Sequence, residues 1–279
     1  MNNSQCYRLE QHDFSDGFLD LDATYIIHLE GNGREEHVIK QLEEYHPTNL
    51  VYILYNKGYK KCKKSLHLNE PQIDLIDAFL YIFKDAKHKN YKNILILEDD
   101  FIFDDKIKNK QTQTNVMNFI KKKENEPTMY MLGCLPFLQR PYDKCTNILT
   151  SGIGTHACIY SRPLIEEVLQ ENKTEFTDWD YYTHSKVIRY MYHEPLCYQL
   201  FPETENQNNW KAFFGLTYVL IKIIKILKLN KQTDPGYTFF YNLSKALYAA
   251  SLIFLIIFVL FVVHLIYVYA LKRYSVKKR

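Results

Sequence analysis

At 279 residues the chain is long enough for one sizeable α/β domain with an appendage and too short for two comfortable enzyme domains. Its 47% hydrophobic and 24% charged residues exclude a disordered chain, and a net charge of +3 is too small to argue for a nucleic-acid partner. Six cysteines are scattered without a Cys-x-x-Cys pair, which speaks against a zinc site.

The first residues carry no apolar core of the secretory kind, so free thiols in a reducing compartment are the default expectation. On that expectation the sequons at Asn2, Asn172 and Asn242 have no role, since they matter only to a domain facing a lumen.

Residues 1–22 are polar with scattered aromatics and read as a loosely held leader. Thr24–Leu29 reads as a first strand, broken by Gly31, Asn32 and Gly33, and Arg34–Tyr45 has helical spacing. Leu50–Tyr55 is a second strand. A lysine-rich loop follows, either simply solvated or placed to meet an anionic substrate. A helix is expected from Pro71 to about Lys87, with Asn69 as its cap. Next, Ile94–Leu97 drive straight into Glu98, Asp99 and Asp100. Four branched apolar residues without alternation predict a strand buried on both faces, and strand, helix, strand, helix, strand predicts a doubly wound, mostly parallel sheet. Carboxylates at the exit of such a strand sit where open α/β sheets bind ligands, and hard oxygen donors suit Mg²⁺ or Mn²⁺ holding a diphosphate. The bland alternative is a solvated acidic turn.

Further on, the pattern predicts a polar loop over Lys106–Gln113, a short helix over Asn115–Lys123 and a short strand over Thr128–Gly133. An irregular connection is expected over Leu135–Asn147, then a strand over Thr155–Tyr160 and a helix capped by Ser161. Asp178, Trp179 and Asp180 open a helix reaching Tyr190, and Pro195–Leu200 reads as a late strand. Residues 210–231 show a broad apolar face with Lys222, Lys225 and Lys228 on one side. That pattern fits a basic amphipathic helix in a membrane interface, or a helix packed on the domain. Residues 246–271 carry no formal charge, and a stretch of that length can cross a bilayer. The basic tail, 272–279, follows. Without a leading signal the domain is expected in the cytosol on a single C-terminal anchor, although the five basic residues of the tail would then have to cross.

Several stretches together resemble glycosyltransferase family 25, the lipopolysaccharide-type and collagen galactosyltransferase-like enzymes. They are "ILILEDD" (Ile94–Asp100), "GTHACIYSRPLIEEVL" (Gly154–Leu169), "DWDYY" and "EPLCYQLFPETEN". The resemblance covers residues 23–209 and implies a catalytic domain of the GT-A type. That domain would use a nucleotide-sugar donor such as a UDP-hexose, with Mn²⁺ or Mg²⁺, and transfer to a glycan or protein acceptor with inversion. Within it, Glu98, Asp99 and Asp100 stand where the family carries its donor and metal motif, and Arg34 is what is left of an arginine-rich turn. His156 on the donor side and His184 are candidates to complete the shell of a metal held by Asp99 and Asp100. Either histidine has the alternative of being simply packed or exposed. Asp178 and Asp180 are candidates for the base that deprotonates the acceptor hydroxyl, against the alternative that they are helix-opening acids. The family's Asn-Leu continuation and its Gly-Cys and Ser-His pairs are missing, which leaves a catalytically silent membrane scaffold as the rival reading. No Gly-rich Lys-Ser/Thr phosphate loop is present to support a P-loop enzyme.

Overall fold

The computed structural model describes residues 3–199, 222–229 and 231–277. Nine strands form one sheet, in the order β1-β3-β2-β4-β9-β6-β10-β8-β7. Their spans are β1 Tyr7–Asp13, β2 Ala23–Leu29, β3 Leu50–Asn56, β4 Asn93–Glu98, β6 Met129–Met131, β7 Leu135–Pro141, β8 Thr146–Ile153, β9 Ala157–Ser161 and β10 Arg189–Tyr192. The pairings run β2, β3, β4, β6, β7 and β10 in one sense and β1, β8 and β9 against them, so the sheet is mostly parallel in strand direction. A separate ribbon pairs β5 (Phe101–Phe103) with β11 (Cys197–Gln199).

Helices cover both faces. On one face lie α2 (Pro71–His88), α4 (Arg162–Gln170) and α5 (Trp179–Lys186), packed on Ile94 and Ile96 of β4. On the other lie α1 (Glu35–Glu44) and α3 (Lys110–Lys122), packed on Leu95 and Leu97. Alternate residues of one apolar run thus feed two cores, as expected of a strand buried on both sides. Each fully buried Leu or Ile contributes about 2 kcal/mol through lost apolar hydration.

The chain departs from the sequence expectations in several places. The leader is not loose: β1 pairs along the whole of β3 with its charged residues turned outward, and Cys6 is joined to Cys62 by a disulfide, so these two thiols are not free. The N-cap position of the helix over Pro71 is held by Glu70 rather than Asn69, with no side-chain cap bond. The polar stretch before α3 is already structured, because the Asn109 carboxamide accepts from Gln111 N and Thr112 N and starts the helix at Lys110. The supposed irregular connection is the hairpin β7–β8, turned by Asp143, which accepts from Cys145 N and Thr146 N. Ser161 precedes α4 but makes no side-chain cap; its hydroxyl instead donates to Glu126 O and accepts from Thr128 N. Finally, α5 stops at Lys186 and Arg189–Tyr192 become β10.

The helix α6, Gly236–Lys277, is a single element. It starts ten residues before the expected span, and its Gly236–Leu271 stretch is long and apolar enough to cross a membrane. Tyr237, Phe240, Tyr241 and Ser244 recur at helical spacing and are buried against the domain, whereas Leu252–Leu260 are all exposed. Of the stretch 210–231 only 222–229 and 231 are described. There Ile224 and Leu229 are buried in the same core as Tyr237, the behaviour of a segment packed on protein. The last seven residues of the "EPLCYQLFPETEN" stretch, 200–206, lie outside the described residues.

Candidate active site

The parallel part of the sheet changes winding direction at β2. The chain goes from β2 to β3 on one side and then, through α2, to β4 on the other. The carboxyl ends of β2 and β4 therefore flank a topological switch point, the place where open α/β sheets leave a crevice. Glu98, Asp99 and Asp100 occupy one lip, and the turn from His28 to Arg34 the other.

Asp99 spans the crevice. Its Oδ2 accepts from Leu29 N (3.1 Å) and Asn32 Nδ2 (2.6 Å) and bonds His28 Nδ1 at 3.0 Å, while Oδ1 accepts from Arg34 Nη1 at 2.7 Å. Burial pushes this carboxyl up, but the His28 bond, the Arg34 charge and the Asn32 bond outweigh it and hold it below its ordinary value. With four donors on two oxygens, Asp99 fastens the β2–α1 turn and has little left for a cation. The expectation that it ligates a metal would require it to give up some of these bonds. Gly31 and Gly33, at φ 78° and 80°, allow the turn that brings Asn32 and Arg34 back to Asp99.

Asp100 and Glu98 have fewer donors than Asp99. Asp100 receives Gln199 Nε2 at 3.1 Å on each oxygen and the same Arg34 Nη1 at 3.3 Å. Burial lifts its pKa to about 6, with Arg34 pulling down and Asp99 pushing up. Among the described residues the Glu98 carboxyl accepts from Thr155 Oγ1 alone, at 3.3 Å, and burial, then the charges of Asp100 and Asp180, drive it well above the ordinary range. Gln199 reaches Asp100 because β11 pairs antiparallel with β5, setting Gln199 opposite Phe101.

Asp180, in the first turn of α5, completes this group. Its Oδ2 accepts from Gly154 N at 3.4 Å, and its Oδ1 is buried without a partner among the described residues. Burial first, then the Asp178 charge, raises its pKa to about 7. Gly154 adopts φ 95°, and a Cβ there would lie 3.3 Å from His156 Nδ1 and 3.7 Å from Gln199 Oε1. Asp180, His156, Gln199 and Gly154 therefore surround one spot beside Asp100. The buried His156 ring sits 3.3 Å from Cys197 O through Nε2. The N–H is assigned to Nε2 from that contact, which leaves Nδ1 as a lone pair without a partner among the described residues. Burial lowers the pKa of the ring to about 4, so it is neutral.

The remaining candidates fall elsewhere. Asp178 caps α5, accepting from Tyr181 N at 3.0 Å. His184 Nδ1 accepts from Arg189 Nη2 at 2.7 Å, and burial and that guanidinium lower its pKa. No contact joins it to Asp99 or Asp100, and the neighbouring positive charge opposes a second cation. The metal-ligand expectation for His184 is corrected accordingly. Gln199 and Thr155 were not singled out from sequence. Gln199 lay in a stretch quoted for the resemblance, but its closeness to Asp100 depends on a strand pairing between residues almost a hundred positions apart.

A divalent cation fits part of this set. Among the described residues no three His, Cys, Asp or Glu are grouped as a ready-made metal cage. Glu98, raised by the charges of both Asp100 and Asp180, nonetheless marks carboxylates close enough to repel, and Asp180 adds one oxygen without a partner among the described residues. Mg²⁺-type sites commonly use one or two carboxylates and complete the shell with substrate phosphates.

No protein-family model matches the chain, and no curated protein matches it. Among solved structures it is similar to A197 from STIV, with a TM-score of 0.38 and 13% identity over 66% of this chain and 86% of that one. It is also similar to a glycosyltransferase involved in glycosylation of the major capsid of PBCV-1, with a TM-score of 0.34 and 15% identity over 59% and 75% of the two chains.

Proposed function

We propose that the chain is a membrane-anchored glycosyltransferase. It moves a sugar from a nucleotide-sugar donor, a UDP-hexose by the sequence resemblance, to an acceptor hydroxyl with inversion. One observation carries this reading: a buried, undersupplied carboxylate set (Glu98, Asp100, Asp180) gathers at the switch point of a doubly wound sheet, beside a guanidinium.

Arg34, between Asp99 and Asp100, is placed to meet a diphosphate anion, and the fixed Asp99 keeps it pointing there. Asp100 is the residue that would hold Mn²⁺ or Mg²⁺, which when bound supplies Lewis-acid stabilisation of the leaving diphosphate. Asp180 is the base. Its unpartnered Oδ1 takes the acceptor proton as the hydroxyl oxygen bonds to the anomeric carbon, and the bond from that carbon to the diphosphate oxygen breaks. The neutral His156, through its bare Nδ1, accepts a hydrogen bond from a sugar hydroxyl and orients it.

The silent-scaffold alternative rests on the saturation of Asp99 and on the lack of a preformed cage. The two readings separate by thermal stability of the full chain in detergent against UDP- and GDP-sugars, with and without Mn²⁺. A donor at a hundred times its Kd adds about 2.7 kcal/mol of stability. A metal-dependent shift with one donor supports transfer, and no shift with any donor favours the scaffold.

The Cys6–Cys62 crosslink and the five basic residues of the tail favour a domain facing an oxidising compartment with its tail in the cytosol, against the cytosolic expectation. Thiol labelling of the unreduced, membrane-bound protein checks this. Reaction at Cys6 and Cys62 without prior reduction would sink it.

A further inference from the structure

The anchor helix is part of the site's architecture rather than a tether on a flexible stem. At its start, Tyr237 is fully buried, and its hydroxyl accepts from Gln199 N at 2.8 Å and donates to Gln199 O at 3.2 Å. Its ring packs on Tyr198, with centroids 5.0 Å apart, and edge-on to His156 at 6.4 Å. Gln199 in turn donates to both oxygens of Asp100. Two contacts therefore separate the membrane helix from the central carboxylate. Two turns on, Gln139 Nε2 donates to Tyr241 O (3.0 Å) and Ser244 Oγ (2.6 Å), and Phe137 packs on Phe240, so α6 is clamped along β7.

The height of the site above the bilayer follows from the helix. The charge-free run begins at Ala246, just after Lys245. Nine residues from Tyr237 to Ala246 rise about 14 Å. The polar headgroup layer takes roughly 6 Å of that on each side of a bilayer. The carboxylate set thus stands within about a helix diameter of the headgroups. Around the root of α6 exposed apolar side chains (Ile226 at 76%, Phe239, Leu243 and Leu247) stand among exposed lysines (Lys225, Lys228, Lys231 and Lys245). Apolar and basic groups mixed at the foot of a membrane helix seat the domain down on the interface and oppose its lifting away.

We infer that the acceptor is a membrane lipid, a glycolipid or lipid-linked sugar whose hydroxyl is presented at headgroup height, rather than a soluble glycan. This rests on the transferase reading and names the acceptor class for the same site. A soluble acceptor gains nothing from a site held this close to the bilayer, whereas a lipid acceptor diffuses in the same plane and meets the site at a high effective concentration. Tyr237 is the positioning residue that fixes Gln199, and through it Asp100, at that height.

The test uses the full chain reconstituted into liposomes of its expression host's total lipid extract, supplied with Mn²⁺ and a panel of radiolabelled UDP- and GDP-sugars. The expected result is consumption of one donor with label partitioning into chloroform–methanol. A second arm inserts sixteen Gly/Ser residues between Lys245 and Ala246, a coil spanning about 22 Å that leaves the docked turns intact and lifts the site. Lipid labelling then falls at least tenfold while donor hydrolysis to free sugar is unchanged. Donor consumed with label only in free sugar or in protein overturns the lipid acceptor and leaves the transferase standing, and so does equal lipid labelling by the stemmed variant. No consumption of any donor overturns both.

Discussion

Adjacent residues at the end of β4 live in opposite worlds. On one side of the strand Asp99 is wrapped by His28, Leu29, Asn32 and Arg34, and is held ionised. On the other, Glu98, Asp100 and Asp180 are all pushed upward by burial, Glu98 further by the charges of Asp100 and Asp180, Asp100 by Asp99, and Asp180 by Asp178. The difference follows from the end of the strand: Glu98 is its last residue, whereas Asp99 and Asp100 lie in the turn beyond it, where Asp99 meets the β2–α1 turn and Asp100 meets Gln199, with Arg34 reaching both. A carboxylate surrounded by donors fastens a loop, whereas carboxylates short of donors retain the capacity to bind a cation or a proton. The three-residue acidic motif thus sets one donor-wrapped carboxylate between two with fewer donors.

Exchanging the roles tests that division. Asp99→Ala leaves Arg34 and His28 without their buried partner and should cost about 4 kcal/mol of stability, read as a drop of roughly 10 °C in Tm. A Tm within a degree or two of the parent would break the comparison. Asp100→Asn should keep the fold, since Gln199 and Arg34 still have an oxygen to meet, yet lower transfer by about 10² to 10³. Normal turnover by that variant would remove Asp100 from the chemistry. Asp180→Asn should lower transfer by about 10² or more with donor affinity unchanged. A selective loss of donor binding would instead place Asp180 on the nucleotide side.

His156 sharpens the comparison with pH. Its folded pKa of about 4 lies below the ordinary 6.5, so the unfolded chain binds the extra proton first and stability is lost as pH falls from 6.5 towards 4. At pH 5 the loss should reach about 2 kcal/mol relative to pH 7. His156→Gln, which keeps a donor for Cys197 O, should remove that increment, as melting curves at the two pH values will show. The smallest effect belongs to Asp178→Ala, where loss of the α5 cap costs about 1 kcal/mol. Its transfer rate should match the parent, and a rate as low as that of Asp180→Asn would return Asp178 to the list of bases.

Much of this was legible in the sequence. The apolar run Ile94–Leu97 announced a doubly buried strand, and the break at Gly31–Gly33 announced the turn facing it. Asp178 and Asp180 were indistinguishable as letters, because both open the same helix. Only the packing of α5 against Gly154 shows that one oxygen of Asp180 is orphaned while Asp178 caps the helix. Gln199, Thr155 and Tyr237 reach the site through long-range pairing, which no local periodicity encodes. The hairpin β7–β8 was masked by Pro136 and Pro141, residues that read as strand breakers but are tolerated here because β7 is an edge strand with a bulge. The edge strand β1 was hidden by its polar outer face, whose charges suit a sheet edge.

The clamp between α6 and β7 bears on how the protein can be handled. β7 closes one edge of the nine-stranded sheet, and the side chains that meet Phe240, Tyr241 and Ser244 lie along it. Cutting the chain ahead of α6 to obtain a water-soluble domain would strip that strand of its cover. The bared edge would offer unpaired backbone groups beside Phe137 and Leu135, a template for aggregation. The helix that resembles a removable anchor is also a cap on the sheet, so detergent, rather than truncation, is the route to a monodisperse preparation.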